Sequence, residues 1–266
     1  APPVIPSLNA KFNINHDLDF RISYVRGFRA PSLRELYFEF FDASHSISGN
    51  PDLKAELSNS INGTFMWRTL KKNSTYWTNT ITGFYNSIEN MITTGFLPGN
   101  QIVTTYINVD NFKSTGGTFT SSLLVGGLDV SAGFSYTGRY NDFNEDDTEL
   151  PEFLWSPEAN ANVTYLFEKP GISINAYYKF TGKLNRYDLV NGEVALGTID
   201  SYNWLDMSIQ KRFFNQLDVT LGARNIGNVT NISNSSSSTG AHAPGGSASV
   251  SYGRSYFLTL NYHFIK

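Results

Sequence analysis

Apolar and polar residues alternate with a period of two along nearly the whole chain, which is the period of a β-strand whose two faces meet different surroundings. In the last such run Tyr256, Leu258, Leu260, Tyr262 and Phe264 stand against Ser255, Thr259, Asn261 and His263. Residues 217–224 set Leu217, Val219, Leu221 and Ala223 opposite Asp218, Thr220, Gly222 and Arg224. The pattern returns as Leu205, Met207 and Ile209 against Asp206, Ser208, Gln210 and Arg212, and as Ile172, Ile174, Ala176, Tyr178 and Phe180 against Ser173, Asn175 and Lys179. It holds for Leu128, Val130, Ala132, Phe134 and Tyr136, and near the start for Leu8, Ala10, Phe12, Ile14 and for Leu18, Phe20, Ile22, Tyr24. With fainter runs near 57–70, 75–90 and 103–125, about eleven strands of roughly ten residues each are expected.

The connections alternate strictly between short and long. Short turns are expected at 16–17, 71–74, 126–127, 168–171 and 214–216, and long loops at 27–55, 90–103, 139–152, 184–201 and 227–250. Short turns on one rim and long loops on the other are the plan of an outer-membrane barrel. A soluble sandwich alternates too, with its apolar face turned inward. Its strands are shorter, however, averaging about five or six residues, and it has no need of the aromatic residues that tip these runs, such as Trp155, Tyr165 and Phe167 or Tyr262 and Phe264. The expected fold is all-β, a transmembrane antiparallel β-barrel. Counting back from a final strand that leaves loop 227–250, the first strand starts on the long-loop rim. Because such barrels have even strand numbers, at least one further strand from sequence before Ala1 is expected to close the wall, and residues 1–266 are read as the C-terminal part of the barrel.

Composition narrows the partners. Aromatic residues are 15% of the chain and charged residues 16%, the latter well below the roughly 25% of soluble domains. The net charge is −3, which gives nucleic acid no basic footprint. Cysteine is absent, so disulfides, thiolate metal sites and Cys nucleophiles are excluded. His16, His45, His242 and His263 are too dispersed for a catalytic zinc motif. No apolar run is long enough for a spanning helix, and no cleavable signal precedes Val4. A Gly-x-Ser-x-Gly elbow, a P-loop and a dinucleotide fingerprint are all lacking, so an enzyme is not expected.

Residues 27–37, Gly-Phe-Arg-Ala-Pro-Ser-Leu-Arg-Glu-Leu-Tyr, followed by 49–56, Gly-Asn-Pro-Asp-Leu-Lys-Ala-Glu, resemble the paired signature of TonB-dependent receptors. Ser156-Pro157 read as opening a strand, Arg224-Asn225-Ile226 at a strand end and the closing 253–257 Gly-Arg-Ser-Tyr-Phe agree in order and spacing. The resemblance implies a 22-stranded barrel of which these eleven strands are the second half, filled by a plug and opened with energy from the TonB complex. It implies active uptake of a small, scarce nutrient of the iron–siderophore, haem or cobalamin class across the bacterial outer membrane. Two alternatives are a passive porin and a barrel capped by a surface lipoprotein. The end departs from the family pattern, since Ile265 and Lys266 follow Phe264.

Within that resemblance His45, between the two boxes, is the candidate axial ligand to the iron of a transported haem, against the plainer reading of a solvated loop histidine. Arg29 is the second candidate ligand contact, although a Gly-Phe-Arg-Ala-Pro run at a strand's end also suits a bend, with Pro31 ending the ladder and Arg29 pairing with carboxylates. Inward charges such as Arg21, Asp129, Lys179, Asp206, Arg212 and Arg224 are expected to hold the plug. The acidic run 141–147 reads as a solvated or lipopolysaccharide-bridging loop before a Ca²⁺ site, since it lacks EF-hand spacing. The serine run 235–238 reads as an external loop.

Overall fold

The computed structural model describes residues 3–41, 46–71, 75–97, 103–142, 149–190, 193–235 and 246–264. The chain starts as a hairpin of β1 (Ser7–Asn13) and β2 (Leu18–Arg29). The long connection that follows folds into a five-residue helix, α1 (Leu33–Tyr37), and a small hairpin, β3 (Glu39–Phe41) with β4 (Ser46–Ser48). A meander then runs through β5 (Glu56–Lys71), β6 (Thr75–Leu97), β7 (Val103–Val125), β8 (Leu128–Tyr140), β9 (Phe153–Phe167) and β10 (Ile172–Thr181). The hairpin β11 (Leu184–Val190) and β12 (Glu193–Ile199) leaves the main sheet. The chain returns as β13 (Tyr202–Phe213) and β14 (Leu217–Arg224), leaves again as β15 (Asn231–Asn234) and β16 (Gly246–Ser249), and ends in β17 (Ser255–Tyr262).

The main path is antiparallel and in chain order, β1-β2-β5-β6-β7-β8-β9-β10-β13-β14-β17, which makes the eleven strands that the alternation predicts. Register shows why the alternation exists. One transverse row passes from strand to strand through Phe12, Phe20, Phe65, Ile81, Phe119, Phe134, Ala159 and Phe180. The neighbouring row, on the other face, reads Lys11, Arg21, Thr64, Thr82, Thr118, Ser135, Glu158 and Thr181. A slip of one residue would exchange the two rows, so the pattern pins the pairing.

Burial is inverted relative to a soluble domain. Among the described residues no hydrophobic side chain is buried, while Asp19, Asn79, Thr105, Asn141, Asp218 and Asn225 are. The apolar face carries large exposed side chains across its width, including Leu8, Ile81, Phe134, Ile209, Leu221 and Leu258. A single sheet with no second layer on its apolar face has to bury that face against something other than itself, and hydrocarbon serves. On β9, Trp155 and Tyr165 bracket Pro157, Ala159, Ala161 and Val163. Ten steps of about 3.3 Å, tilted by roughly 40°, bring those rings about 25 Å apart along the barrel axis, the height of a lipid-facing band. Aromatic pairs mark both ends of the band. Near the short turns are Phe12 with Phe20, and Tyr165 with Phe167, while Tyr136 with Trp155 and Tyr140 with Phe153 lie near the long loops. Asn79 is a buried polar residue on this face. It stands opposite Trp67, whose ring lies 6.2 Å from that of Phe119, two strands away.

The structure departs from the sequence expectation in several places. Residues 91–97, expected within the 90–103 loop, are strand, and 98–102 lie outside the described residues. β6 and β7 continue pairing from Met91↔Val109 to Leu97↔Val103, and Asn90, at φ 54°, kinks the strand without shifting register. At 23 residues each, the two strands are about twice the length a bilayer needs and project beyond the rim. The 184–201 and 227–250 segments are not plain loops either, since they supply a second sheet, β11-β12-β15-β16. Ser156-Pro157 does not open β9, which begins at Phe153. Pro157 lies just past the last β9–β10 pair, Glu158↔Thr181, where its missing N–H costs that ladder nothing.

Candidate functional site

The long-loop rim is where the chain invests its irregular structure. Arg29 ends β2 and faces Glu56, which starts β5. Its Nε and Nη2 donate to the two Glu56 carboxylate oxygens at 2.6 and 2.7 Å, and its Nη1 donates to Glu35 at 2.9 and 3.0 Å. A planar guanidinium with two forks therefore ties the strand on either side of the 30–55 connection to the helix inside it. Glu35 can be reached because Ser32 and Glu35 form a capping box. Ser32 Oγ accepts from the Glu35 N–H at 3.3 Å, and the Ser32 N–H donates to Glu35 Oε2 at 2.7 Å. The backbone donor of Ser32 and the Arg29 guanidinium hold the Glu35 carboxyl below its ordinary value of 4.5.

The second box fastens the other end of the connection. Gly49 packs against the end of α1 so closely that a Cβ would lie 2.7 Å from the backbone of Leu36 and Tyr37. Asn50 donates its backbone N–H to Glu35 O and its Nδ2 to Tyr106 O, and Asn108 exchanges hydrogen bonds with the backbone of Lys54. Asn108 Nδ2 also donates to Asn90 O at the kink in β6, and the Ile92 N–H donates to Glu56 Oε1. The connection is thereby fixed to the projecting β6–β7 hairpin. On top of it Leu33, Tyr37, Phe40 and Phe41 are exposed, with Phe38 stacked on Phe40 and Arg34 over the Phe38 ring. The result is an apolar, aromatic ledge on the long-loop rim.

The later motifs clasp the same rim. Asn225, at φ 51° and almost fully buried, donates to Val229 O and Ser251 Oγ, accepts from the Val229 N–H, and receives its own position from Asp206 Oδ1. Arg254 donates to Ile226 O, and Asn228 Oδ1 accepts from the Arg254 N–H. Gly253, at φ 100°, is required here, since a Cβ would also meet Asn228 Oδ1 at 2.8 Å. Above this base, Ile199↔Asn234 pairing joins the two excursions into one sheet, with a Lys183–Asp200 ion pair at its foot.

At the short-turn rim the polar face carries two charge clusters. Asp19 is shared by Arg68 at 2.8 Å, Arg21 at 3.5 Å and Lys11 at 3.9 Å. Asp218 is gripped by Arg212 at 2.7 Å and contacts His263 at 3.0 Å. His263 thus has an anionic partner, whereas Ser255 pairs with Arg224 at the far end of the strand.

Of the two sequence candidates, the structure places Arg29 on the long-loop rim at the end of β2, 44% exposed even while paired. His45 lies outside the described residues, as do most of the acidic run, the serine run beyond Ser235, and Ile265 and Lys266. Glu35, Glu56, Asn108 and Arg254 gain roles that the sequence reading did not assign. The Ser-x-x-Glu capping box was the available signal for Glu35.

The family described as TonB dependent receptor-like, beta-barrel, matches residues 3–226. A vitamin B12 transporter of Vibrio vulnificus is 29% identical over 260 residues, covering 93% of this chain and 35% of the transporter. A hemoglobin and hemoglobin-haptoglobin-binding protein of Haemophilus influenzae is 37% identical over 87 residues, 30% of this chain and 8% of that protein. The chain thus spans about a third of the length of the vitamin B12 transporter. Among solved structures, a ferric enterobactin receptor of Pseudomonas aeruginosa superposes with a TM-score of 0.71 at 20% identity, covering 97% of this chain and 40% of the receptor. An iron transporter of Neisseria meningitidis gives 0.69 at 18% identity, covering 97% and 39%.

Proposed function

The chain belongs to the TonB-dependent receptor β-barrel family, and from that premise we propose that it is the C-terminal part of an outer-membrane receptor that actively imports a scarce nutrient. The carrying observation is the inverted burial, with a continuous apolar face and a charged opposite face, since it suits a wall between lipid and an occupied lumen. The long-loop rim faces outward in this reading and the short-turn rim faces the periplasm. Names of relatives support the ligand class, an iron–siderophore, haem or cobalamin. Residues 1–266 form barrel wall, and a plug and the TonB contact come from the rest of the protein.

The rim clasped by Arg29 receives the ligand first, and the aromatic ledge beside it suits a ligand with flat or apolar surfaces. Arg29 and His45 are the proposed contacts, with His45 as ligand to haem iron if haem is the cargo. Transport follows when energy delivered through TonB displaces the plug. The test is equilibrium binding of haem, cobalamin and a ferric catecholate to the full-length purified receptor, with uptake measured in cells with and without TonB. Saturable binding of one of them and TonB-dependent uptake are expected. TonB-independent permeation with large open-channel conductance in planar bilayers would establish the porin alternative instead. For the haem branch, unchanged haem affinity in His45→Ala removes that residue's role.

A further inference from the structure

Register assigns every charged side chain of the main sheet to a face, and very few fall on the apolar one. β1, β8, β9, β10, β14 and β17 place no charge among their apolar rows, and Lys211, over the Phe213 ring, sits near the short turns. Near the long-loop rim three charges do face outward with the apolar row: Arg26, in phase with Leu18, Phe20 and Ile22, Lys113, in phase with Phe119, and Glu89, in phase with Ile81. Arg26, Asn59, Ser87 and Lys113 form one continuous transverse row.

Neither cation is neutralised among the described residues. Among the described residues no ion pair within 4 Å joins Arg26 or Lys113 to a carboxylate, Glu89 included, which stands two residues further along β6. The Arg26 Nε is buried without a hydrogen-bond acceptor. Lys113 Nζ rests 4.4 Å from the centre of the Tyr140 ring, next to Phe153 and Trp155 in the upper aromatic belt. Three inter-strand steps separate the two cations, about 14 Å at the usual strand spacing. Cations on a lipid-facing wall at the depth of an aromatic belt are favourable only where headgroup anions meet them.

We propose that Arg26 and Lys113 form a docking site for an outer-leaflet glycolipid bearing two phosphates, one phosphate to each cation. The spacing fits two anionic groups carried on one headgroup better than a single phosphate, and the belt formed by Tyr140, Phe153 and Trp155 receives its acyl chains. Arg26 binds as a fork and Lys113 as a point charge. The site is independent of what the receptor imports, since it faces away from the lumen.

The experiment is native mass spectrometry of the full-length receptor in detergent with added lipid A, the diphosphoryl form against the monophosphoryl form, and with phosphatidylglycerol as a single-phosphate control. The wild type should retain diphosphoryl lipid A, and Arg26→Gln with Lys113→Gln should lose it by roughly tenfold per cation. Lys211→Gln, on the same face near the other rim, should change nothing. Arg26→Lys with Lys113→Arg keeps both charges and should keep most of the binding, which separates charge loss from misfolding, and heat-modifiable migration in gels reports folding directly. Equal retention of lipid A by the double glutamine variant, equal loss in Lys211→Gln, or phosphatidylglycerol held as tightly as diphosphoryl lipid A would each overturn the proposal.

Discussion

Arg29 shows how one side chain organises a rim. Its fork pairs with Glu56 across β2–β5 and reaches Glu35 in α1, so a lysine, with a single ammonium, cannot replace it. Because the guanidinium is partly exposed, the expected loss in Arg29→Lys is about 1–2 kcal/mol of local stability. In the full-length receptor, trypsin cleavage after Arg34 should accelerate by about tenfold, while cleavage at the short-turn rim stays constant. Glu35 adds a pH signature. Its folded pKa is depressed below the ordinary 4.5, first by the Ser32 backbone donor and then by Arg29. The stabilisation it contributes is therefore complete above the ordinary value and is lost as pH falls through the lower folded value. Pepsin cleavage near Leu36 and Phe38, taken at each pH relative to an unfolded reference substrate, should stay slow down to about pH 4.5 and rise below it. In Glu35→Gln the carboxylate is gone, so that acid-side step should disappear and cleavage should be fast throughout. The Arg29 pairing was foreseen because Gly-Phe-Arg-Ala-Pro carries a cation to a strand's end. Its partners were not foreseen, since Glu35 and Glu56 are brought to it only by the capping turn and the β2–β5 register.

Among the elements, strands with strict alternation were legible and those without it were not. β13, β14 and β17 could be read directly because each exposes one face to lipid, and that environment selects the residue type at every second position. Above the rim both faces of a strand are wet, and the selection stops. This is why β11, β12, β15 and β16 resembled loops, and why the part of β6 beyond Asn90 was missed. Short turns, by contrast, were placed well, because a chain that must reverse within a few residues uses Gly and Asn at positive φ, as at Gly126, Gly171 and Asn215. The same selection gives a sharp test within β9. Ala161 faces the apolar row and Asn162 the polar one, one residue apart at the same depth. Ala161→Arg should destabilise the folded barrel by about 2–4 kcal/mol, and Asn162→Arg by far less. Reversible urea titration of the full-length receptor folded into lipid vesicles measures both. Equal losses would mean that the two faces see similar surroundings, against a lipid-facing wall.

At the scale of the whole molecule, the sheet has two edges, and the physics of the membrane does not allow them to stay open. Among the described residues β1 and β17 each pair on one side only. Alternate N–H and C=O groups along both outermost strands therefore lack ladder partners, and each costs several kcal/mol if left in hydrocarbon. Within these strands alone the seam would have to be parallel, because eleven strands of uniform up-and-down order leave the first and last running the same way, and that departs from the even, antiparallel plan of single-chain bacterial barrels. The polar face adds a second demand, as the cluster of Lys11, Arg21 and Arg68 around one Asp19 leaves excess positive charge facing inward. A segment that closes both edges and brings acidic side chains to that wall would satisfy the two demands together. Residues 1–266 expressed alone and refolded into vesicles should accordingly fail to become heat-modifiable and should be digested by added protease. The same residues within the full-length receptor should resist both heat-free detergent and protease up to the long loops. If the isolated polypeptide instead forms a protease-resistant monomer in lipid, its edges have found partners within these 266 residues and the half-barrel reading fails.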